Sequence, residues 1–238
     1  MELLAEVAAW LTDPAQWQGA GSIPVRVAEH LALSGVSLAI GLAVALPLGL
    51  VIGHTGRWAD AVVAVTNIGR AVPSVGVLGM ALPVTLALGW GLGVPPTLLA
   101  LIVLAIPPIV VNAYVGIREV DPDAVEAARG LGMSEGQVLR RVEIPLASPV
   151  ILAGVRTASV QVIATATLGA ILSTGGLGRF IIDGFAQQDY PEMLGGALLV
   201  MVLALTSEGL FALAQRVVVS PGLASPERAS VPAPGLGL

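Results

Sequence analysis

"EAARGLGMSEGQVLRRVEIP", residues 126–145, is the stretch on which the reading of this chain turns. It is a polar interval in an oily sequence, since 55% of the 238 residues are hydrophobic and only 11 basic and 16 acidic side chains are present. Ten of those charges crowd into residues 118–143: Arg118, Glu119, Asp121, Asp123, Glu126, Arg129, Glu135, Arg140, Arg141 and Glu143. The interval carries helix punctuation. Asp121-Pro122 puts an N-cap aspartate before a proline at the first helical position. Asp123 and Glu126 offer an alternative capping-box spacing. Gly130 and Gly132 interrupt after about two turns. Ser134 and Gln137 have the spacing of a second capping box, and Pro145 is expected to stop the short helix they open. On that helix Val138, Leu139 and Val142 share a face, with Arg140, Arg141 and Glu143 elsewhere. The expectation is a compact helix–turn–helix within a loop at 118–149. The small side chains of Ala127 and Ala128 would let another surface approach the backbone, which suits a docking knob. Helix physics alone favours the plainer alternative, an amphipathic cytoplasmic loop resting on lipid headgroups.

Outward from this island the chain turns apolar. A soluble domain carries about a quarter charged residues; here the share is 11%. Apolar runs at about Leu31–Ile52, Val72–Leu88, Pro95–Val115, Val150–Leu172 and Leu194–Ala214 have lengths suited to helices crossing a bilayer. The runs are continuous rather than alternating, which argues against a β-barrel. The expected fold is an all-α membrane protein with about five transmembrane helices. Residues 59–68 form a short apolar piece that is either a half-span, making six, or an interfacial lead into the second helix. Positive residues are retained in the cytoplasm. With the island inside, Arg57, Arg118, Arg129, Arg140, Arg141, Arg216 and Arg228 fall inside, and only Arg26 and Arg179 outside. That places the N-terminus outside and the C-terminus inside a cytoplasmic membrane. The chain then divides into an extracytoplasmic segment at 1–26, a membrane domain at 27–216 and a cytoplasmic tail at 217–238. The tail is rich in Pro, Gly, Ser and Ala and is expected to be disordered. Trp90, Phe180 and Tyr190 are expected at the outer interface, and Trp58 and Tyr114 at the inner one.

The sequence also excludes chemistry. It has no cysteine and no lysine, which removes thiolate catalysis, lysine Schiff bases and a P-loop. "GMSEG" (132–136) formally matches a nucleophile elbow, but that hydrolase order needs a histidine after the serine. His30 and His54 both precede it, lack metal-site spacing, and are expected at interfacial or solvated positions. No cofactor, metal or nucleic acid is expected, and neither is enzymatic activity.

Polar side chains within apolar runs are costly in lipid and are read as functional by default. Asn67, Ser74, Gln161, Thr165 and Thr167 are the candidates for lining a pathway, Gln161 and Thr165 sharing a face. Threonine in a membrane helix often bonds its own backbone instead. Arg156 and Glu208 are expected to snorkel or form ion pairs. Gly49 and Gly53 have the spacing for close helix packing, and Pro47, Pro73, Pro83, Pro107 and Pro108 are expected to break or kink their helices.

The opening stretch resembles the EAA motif of ABC-importer permeases: E-A-A, three residues, Gly, nine residues, then I-x-L-P. Glu126-Ala127-Ala128 are followed at the right distance by Gly132, then by Val142, Glu143, Ile144 and Pro145. Val142 and Ile144 replace the usual Ile and Leu with apolar equivalents. The resemblance implies the type I ABC importer permease fold. It also implies that Glu126, Ala127, Ala128, Gly132, Val138, Val142 and Pro145 belong to a coupling helix seated on an ATP-binding subunit. "NIGRAVPSVGVLGMALP" (67–83), "DPDAVEAARGLGMS" (121–134), "VILAGVRTA" (150–158) and "TATLGAILSTGGLG" (165–178) resemble permeases of osmoprotectant importers. The solute implied is glycine betaine, choline or carnitine. The partners implied are two ATPase subunits, a second permease subunit and an extracytoplasmic solute-binding protein, all at a lipid bilayer. Ala164 departs from a common Gly, and Leu172-Ser173-Thr174 from a usual I-G-A. Two rivals follow: a permease for amino acids or another small solute, and an ion-coupled secondary transporter, which predicts inverted repeats and buried carboxylates.

Overall fold

The computed structural model describes residues 2–218, without the side chains at 63, 65–68, 70 and 218. The described residues form helices and connecting turns. Helix α1 (Glu2–Thr12) is amphipathic. After it come α2 (Ile23–Thr55), α3 (Ala59–Ala71), α4 (Ser74–Ala87) and α5 (Val94–Arg118). The island holds α6 (Pro122–Gly130) and the single turn α7 (Glu135–Val138). A π turn (Leu139–Glu143) leads directly into α8 (Ile144–Ala166), which tightens into a 3₁₀ segment (Thr167–Leu172). Helices α9 (Gly178–Gln187) and α10 (Tyr190–Val218) complete the described chain.

Among the described residues four helical stretches are long and apolar enough to cross a bilayer: Ile23–Thr55, Val94–Arg118, Glu135–Leu172 and Tyr190–Val217. The remaining expected span, Val72–Leu88, differs: helix α4 has only 14 residues and follows α3 across Val72-Pro73, both helices packing on α5. The break follows from Pro73, which takes an extended conformation at the N-cap of α4 and biases the residue before it away from helix. Pro47, Pro83, Pro107 and Pro108 lie within helices that continue through them. Residues 219–238, where the tail was expected, lie outside the described residues. Within the described part of that region α10 is still helical to Val218.

The core is built on α5, which packs against α2 on one side and α8 on the other. Leu101, Ala105, Ile109, Val110, Ala158, Val162 and Ala45 form its centre. Glycines set the closeness. A Cβ at Gly49 would sit 2.6 Å from the Cβ of Ala113, and one at Gly53 2.8 Å from that of Ile117. The pair four apart is therefore a packing seam between α2 and α5. At the far end from the island, Trp10 of α1 packs edge-on against Phe180 of α9 and covers Gly195 of α10. Phe180 is thus buried, not part of an interfacial belt.

The two histidines depart from expectation. His30 is buried, its Nε2 2.9 Å from the carbonyl oxygen of Ile163. His54, at the last turn of α2, reaches the island.

Candidate functional site: a coupling island and a polar cleft

The island is a small folded unit with a core of its own. Asp121 caps α6 by accepting from the N–H of Asp123, so the alternative cap is not used. Helix α6 ends at Gly130, and Gly132 adopts φ +82°, a left-handed turn that glycine enters without strain. The Ser134–Gln137 capping box forms in both directions. Val125, Ala128 and Val138 are buried together, with Val120, Met133 and Val142 packed on them. Ala128 therefore faces inward, whereas Glu126 and Ala127 point out. Leu131 is 84% exposed at the turn between the helices.

Pro145 does not stop the second helix. The hydrogen-bond ladder changes register there, because the N–H of Ile144 donates five residues back to Leu139. The N–H that proline lacks falls at the crossover between π and α ladders, so the helical run continues. The π turn has a second consequence. A turn closed every five residues keeps Val138 and Glu143 on the same inward side, whereas an α-helix would carry them more than a third of a turn apart.

That inward side meets α2. The Nδ1 of His54 lies 2.5 Å from Oε2 of Glu143, and its Nε2 lies 3.2 Å from Oε2 of Glu135. Glu135 in turn accepts two hydrogen bonds, each 2.9 Å, from Arg129 at the end of α6. The paired carboxylate raises the basicity of the Arg129 guanidinium. Glu143 and His54 are largely shielded, their side chains 7% and 12% exposed. Four polar side chains, from α2, α6, α7 and the π turn, thus form one chain, which an ideal helical face does not predict because it turns Glu143 away from Val138.

The other candidate residues lie along the α5–α8 contact. Gln161 and Thr157 of α8 meet Asn112, Pro107 and Pro108 of α5 and Gly69 of α3 around a cavity of about 210 Å³. Its described lining presents the neutral amides of Asn112 and Gln161 and the hydroxyl of Thr157 among apolar side chains. Asn112 donates from its side chain to the Pro108 carbonyl, one turn back on its own helix, at 2.8 Å. A neighbouring, much smaller void collects Ser74, Thr97 and Thr165. Thr167 lies outside both voids and donates to the Ala164 carbonyl at 2.8 Å, and Thr157, though it lines the cleft, likewise donates to its own helix at Ala153, at 2.9 Å. Asn67 lies on α3, but its side chain is outside the described part. Asn112 and Thr157 were missed, although an asparagine after a double proline and a threonine four before Gln161 carried the signal.

Arg156 of α8 and Glu208 of α10 form an ion pair, and Ser159 and Ser207 share a hydrogen bond at 2.8 Å beside it. These contacts tie α10 to the bundle. Among the described residues there is no grouping of three metal-binding side chains.

A helical membrane bundle with a rigid polar knob between its third and fourth passes defines a transport permease, and sequence comparison places it. The chain belongs to the family of binding-protein-dependent transport system inner membrane components, whose signature matches residues 45–224. It is 34% identical over 203 residues to the choline transport system permease protein OpuBB of Bacillus subtilis, covering 85% of this chain and 91% of that one. It is 38% identical over 184 residues to the carnitine transport permease protein OpuCB of Listeria monocytogenes, covering 77% and 82%. The osmoprotectant import permease protein OsmW of Salmonella typhimurium is 34% identical over 206 residues, covering 86% and 95%. Among solved structures, the inward-facing MetNI methionine ABC transporter superposes with a TM-score of 0.75 at 23% identity, over 88% of this chain and all of that one. The protein is thus a membrane permease subunit of an ABC importer, with the type I permease fold.

Proposed function

We propose that this permease carries quaternary-ammonium osmoprotectants, of which glycine betaine, choline and carnitine are the candidates, inward across the cytoplasmic membrane. It acts as one of two permease subunits above two separate ATPases, and a solute-binding protein delivers the cargo from outside. The relatives named for choline, carnitine and osmoprotectant transport, aligned over most of the chain, support the solute class. Residues 121–145 are the ATPase-coupling element, with Glu126, Ala127, Leu131 and Gly132 as its contact tip and Val138, Val142 and Pro145 as its base. The observation that carries this is the exposed tip held on a buried core of Val125, Ala128 and Val138. The solute path passes Gln161, Asn112 and Thr157, with Asn67, Ser74 and Thr165 continuing it. Neutral groups suit a path, because a site that released its solute slowly would limit the turnover. The island lies in the cytoplasm and the N-terminus outside.

Purification of the tagged chain in mild detergent tests the coupling role. An ATPase should accompany the wild type and be lost in Glu126→Lys. Retention of the ATPase by that variant would remove the island from the docking site. Uptake of labelled choline, competed by glycine betaine and by carnitine, tests the solute class. Uptake indifferent to all three would reject it.

A further inference from the structure

We propose that His54 is a positioning residue for energy coupling: with Glu143 and Glu135 it clamps the island to the end of α2. The inference rests on the coupling role proposed above for residues 121–145. Three observations carry it. First, each ring nitrogen of His54 faces a carboxylate oxygen, at 2.5 and 3.2 Å. The contact to Glu143 is a hydrogen bond and the approach to Glu135 is within ion-pair distance, so one ring bridges two carboxylates. Second, the two carboxylates sit on opposite sides of the π turn, Glu135 opening α7 and Glu143 closing the turn. One side chain therefore grips the island at both ends of its second helix. Glu135 extends the grip to α6 through Arg129. Third, the segment that holds His54 is packed closely against α5. A Cβ on the preceding residue, Gly53, would sit 2.8 Å from the Cβ of Ile117 and 3.1 Å from the Tyr114 carbonyl oxygen.

The consequence is mechanical. The backbone passes force from the island into α5 at one end and α8 at the other. Helix α2 has no backbone link to the island, and His54 supplies the missing one. A push on the tip at Leu131 then moves α2, α5 and α8 as a unit. Without the clamp the island can shift against α2, and ATP is hydrolysed with less movement of the bundle.

The test uses the intact importer, permease with its ATPases, reconstituted in proteoliposomes with binding protein and labelled solute. The readout is solute transported per ATP hydrolysed. A general folding defect lowers yield and both rates together and leaves that ratio alone. His54→Phe, which keeps a ring and removes the donors, should lower the ratio on the order of tenfold, the usual size of a coupling between sites. Glu143→Leu, which removes the acceptor, should do the same, and the double variant should be little worse than either single one, because both break one contact. An unchanged ratio in His54→Phe, or losses that multiply in the double variant, overturns the clamp. If His54→Phe does not assemble, Glu143→Leu decides alone, and a normal ratio there overturns it equally. Failure of the coupling role itself shows separately, as an ATPase still bound to Glu126→Lys.

Discussion

Gln161 and Thr167 stand six residues apart on one helical run and meet different ends. The amide of Gln161 turns into the cleft beside Asn112 and Thr157, where its donors and acceptor are available to a passing solute. The hydroxyl of Thr167 is spent on the carbonyl of Ala164, which lies on its own helix. Removing a polar contact that a solute uses costs about 1 kcal/mol, or several-fold in rate, while removing a satisfied local bond beside solvent or lipid costs little. Gln161→Leu should therefore reduce maximal uptake by roughly five- to tenfold with the ATPase still bound. Thr167→Val should leave uptake within about twofold. Initial-rate uptake by cells expressing each variant at matched membrane levels decides between them. Equal losses in the two would take the solute path away from this cleft.

The helices meet where the sequence removed side chains. Between α5 and α8 the closest approach is at Gly154, where a Cβ would lie 2.4 Å from the Cβ of Asn112 and 2.9 Å from the Pro108 carbonyl oxygen. Neither neighbour is the loose end of a flexible chain, so the helices themselves must part. Gly154→Ala should destabilise by about 1–3 kcal/mol, the usual cost of overpacking, and lower the melting temperature of the detergent-purified protein. Gly35 of α2 has nothing within 4 Å of its would-be Cβ. There the same change should raise stability by up to about 1 kcal/mol through helix propensity. Such element-level features were unevenly legible in the sequence. The Asp121 and Ser134 caps and the Gly49–Gly53 seam could be read, because each depends on residues a few positions apart. The π turn could not, since its cause is tertiary: it keeps Val138 in the island core while turning Glu143 toward His54, 89 residues earlier. For the same reason Pro145 looked like a terminator. The α3–α4 break at Pro73 was half visible, as an apolar piece too short to span, but the packing of both helices along α5 is tertiary.

At the scale of the molecule, the charges and the contacts agree on two opposite ends. Helix α2 ends against the island through His54, α8 begins from it, and Gln215 near the end of α10 donates to the Pro149 carbonyl at the start of α8. Helix α1 instead packs on α9 and on the start of α10, at the far end. Arginine follows the same division. Arg57, Arg118, Arg129, Arg140, Arg141 and Arg216 lie at the island end. At the far end Arg26 and Arg179 are each paired with a carboxylate, Glu29 at 2.9 Å and Asp183 at 2.7 Å. Positive residues near the ends of spans resist translocation, so the island end should be cytoplasmic. The cysteine-free chain makes this directly measurable by labelling two single-cysteine variants with a membrane-impermeant maleimide. Ala20→Cys sits in the exposed turn after α1, and Gly136→Cys sits on α7 with open space around it. In intact spheroplasts A20C should label and G136C should not, and permeabilisation should expose the latter. The reverse pattern would put the island outside, beyond the reach of any ATPase. Labelling of both from outside would mean an even number of crossings between residues 20 and 136, and with it the expected five-pass arrangement would fall.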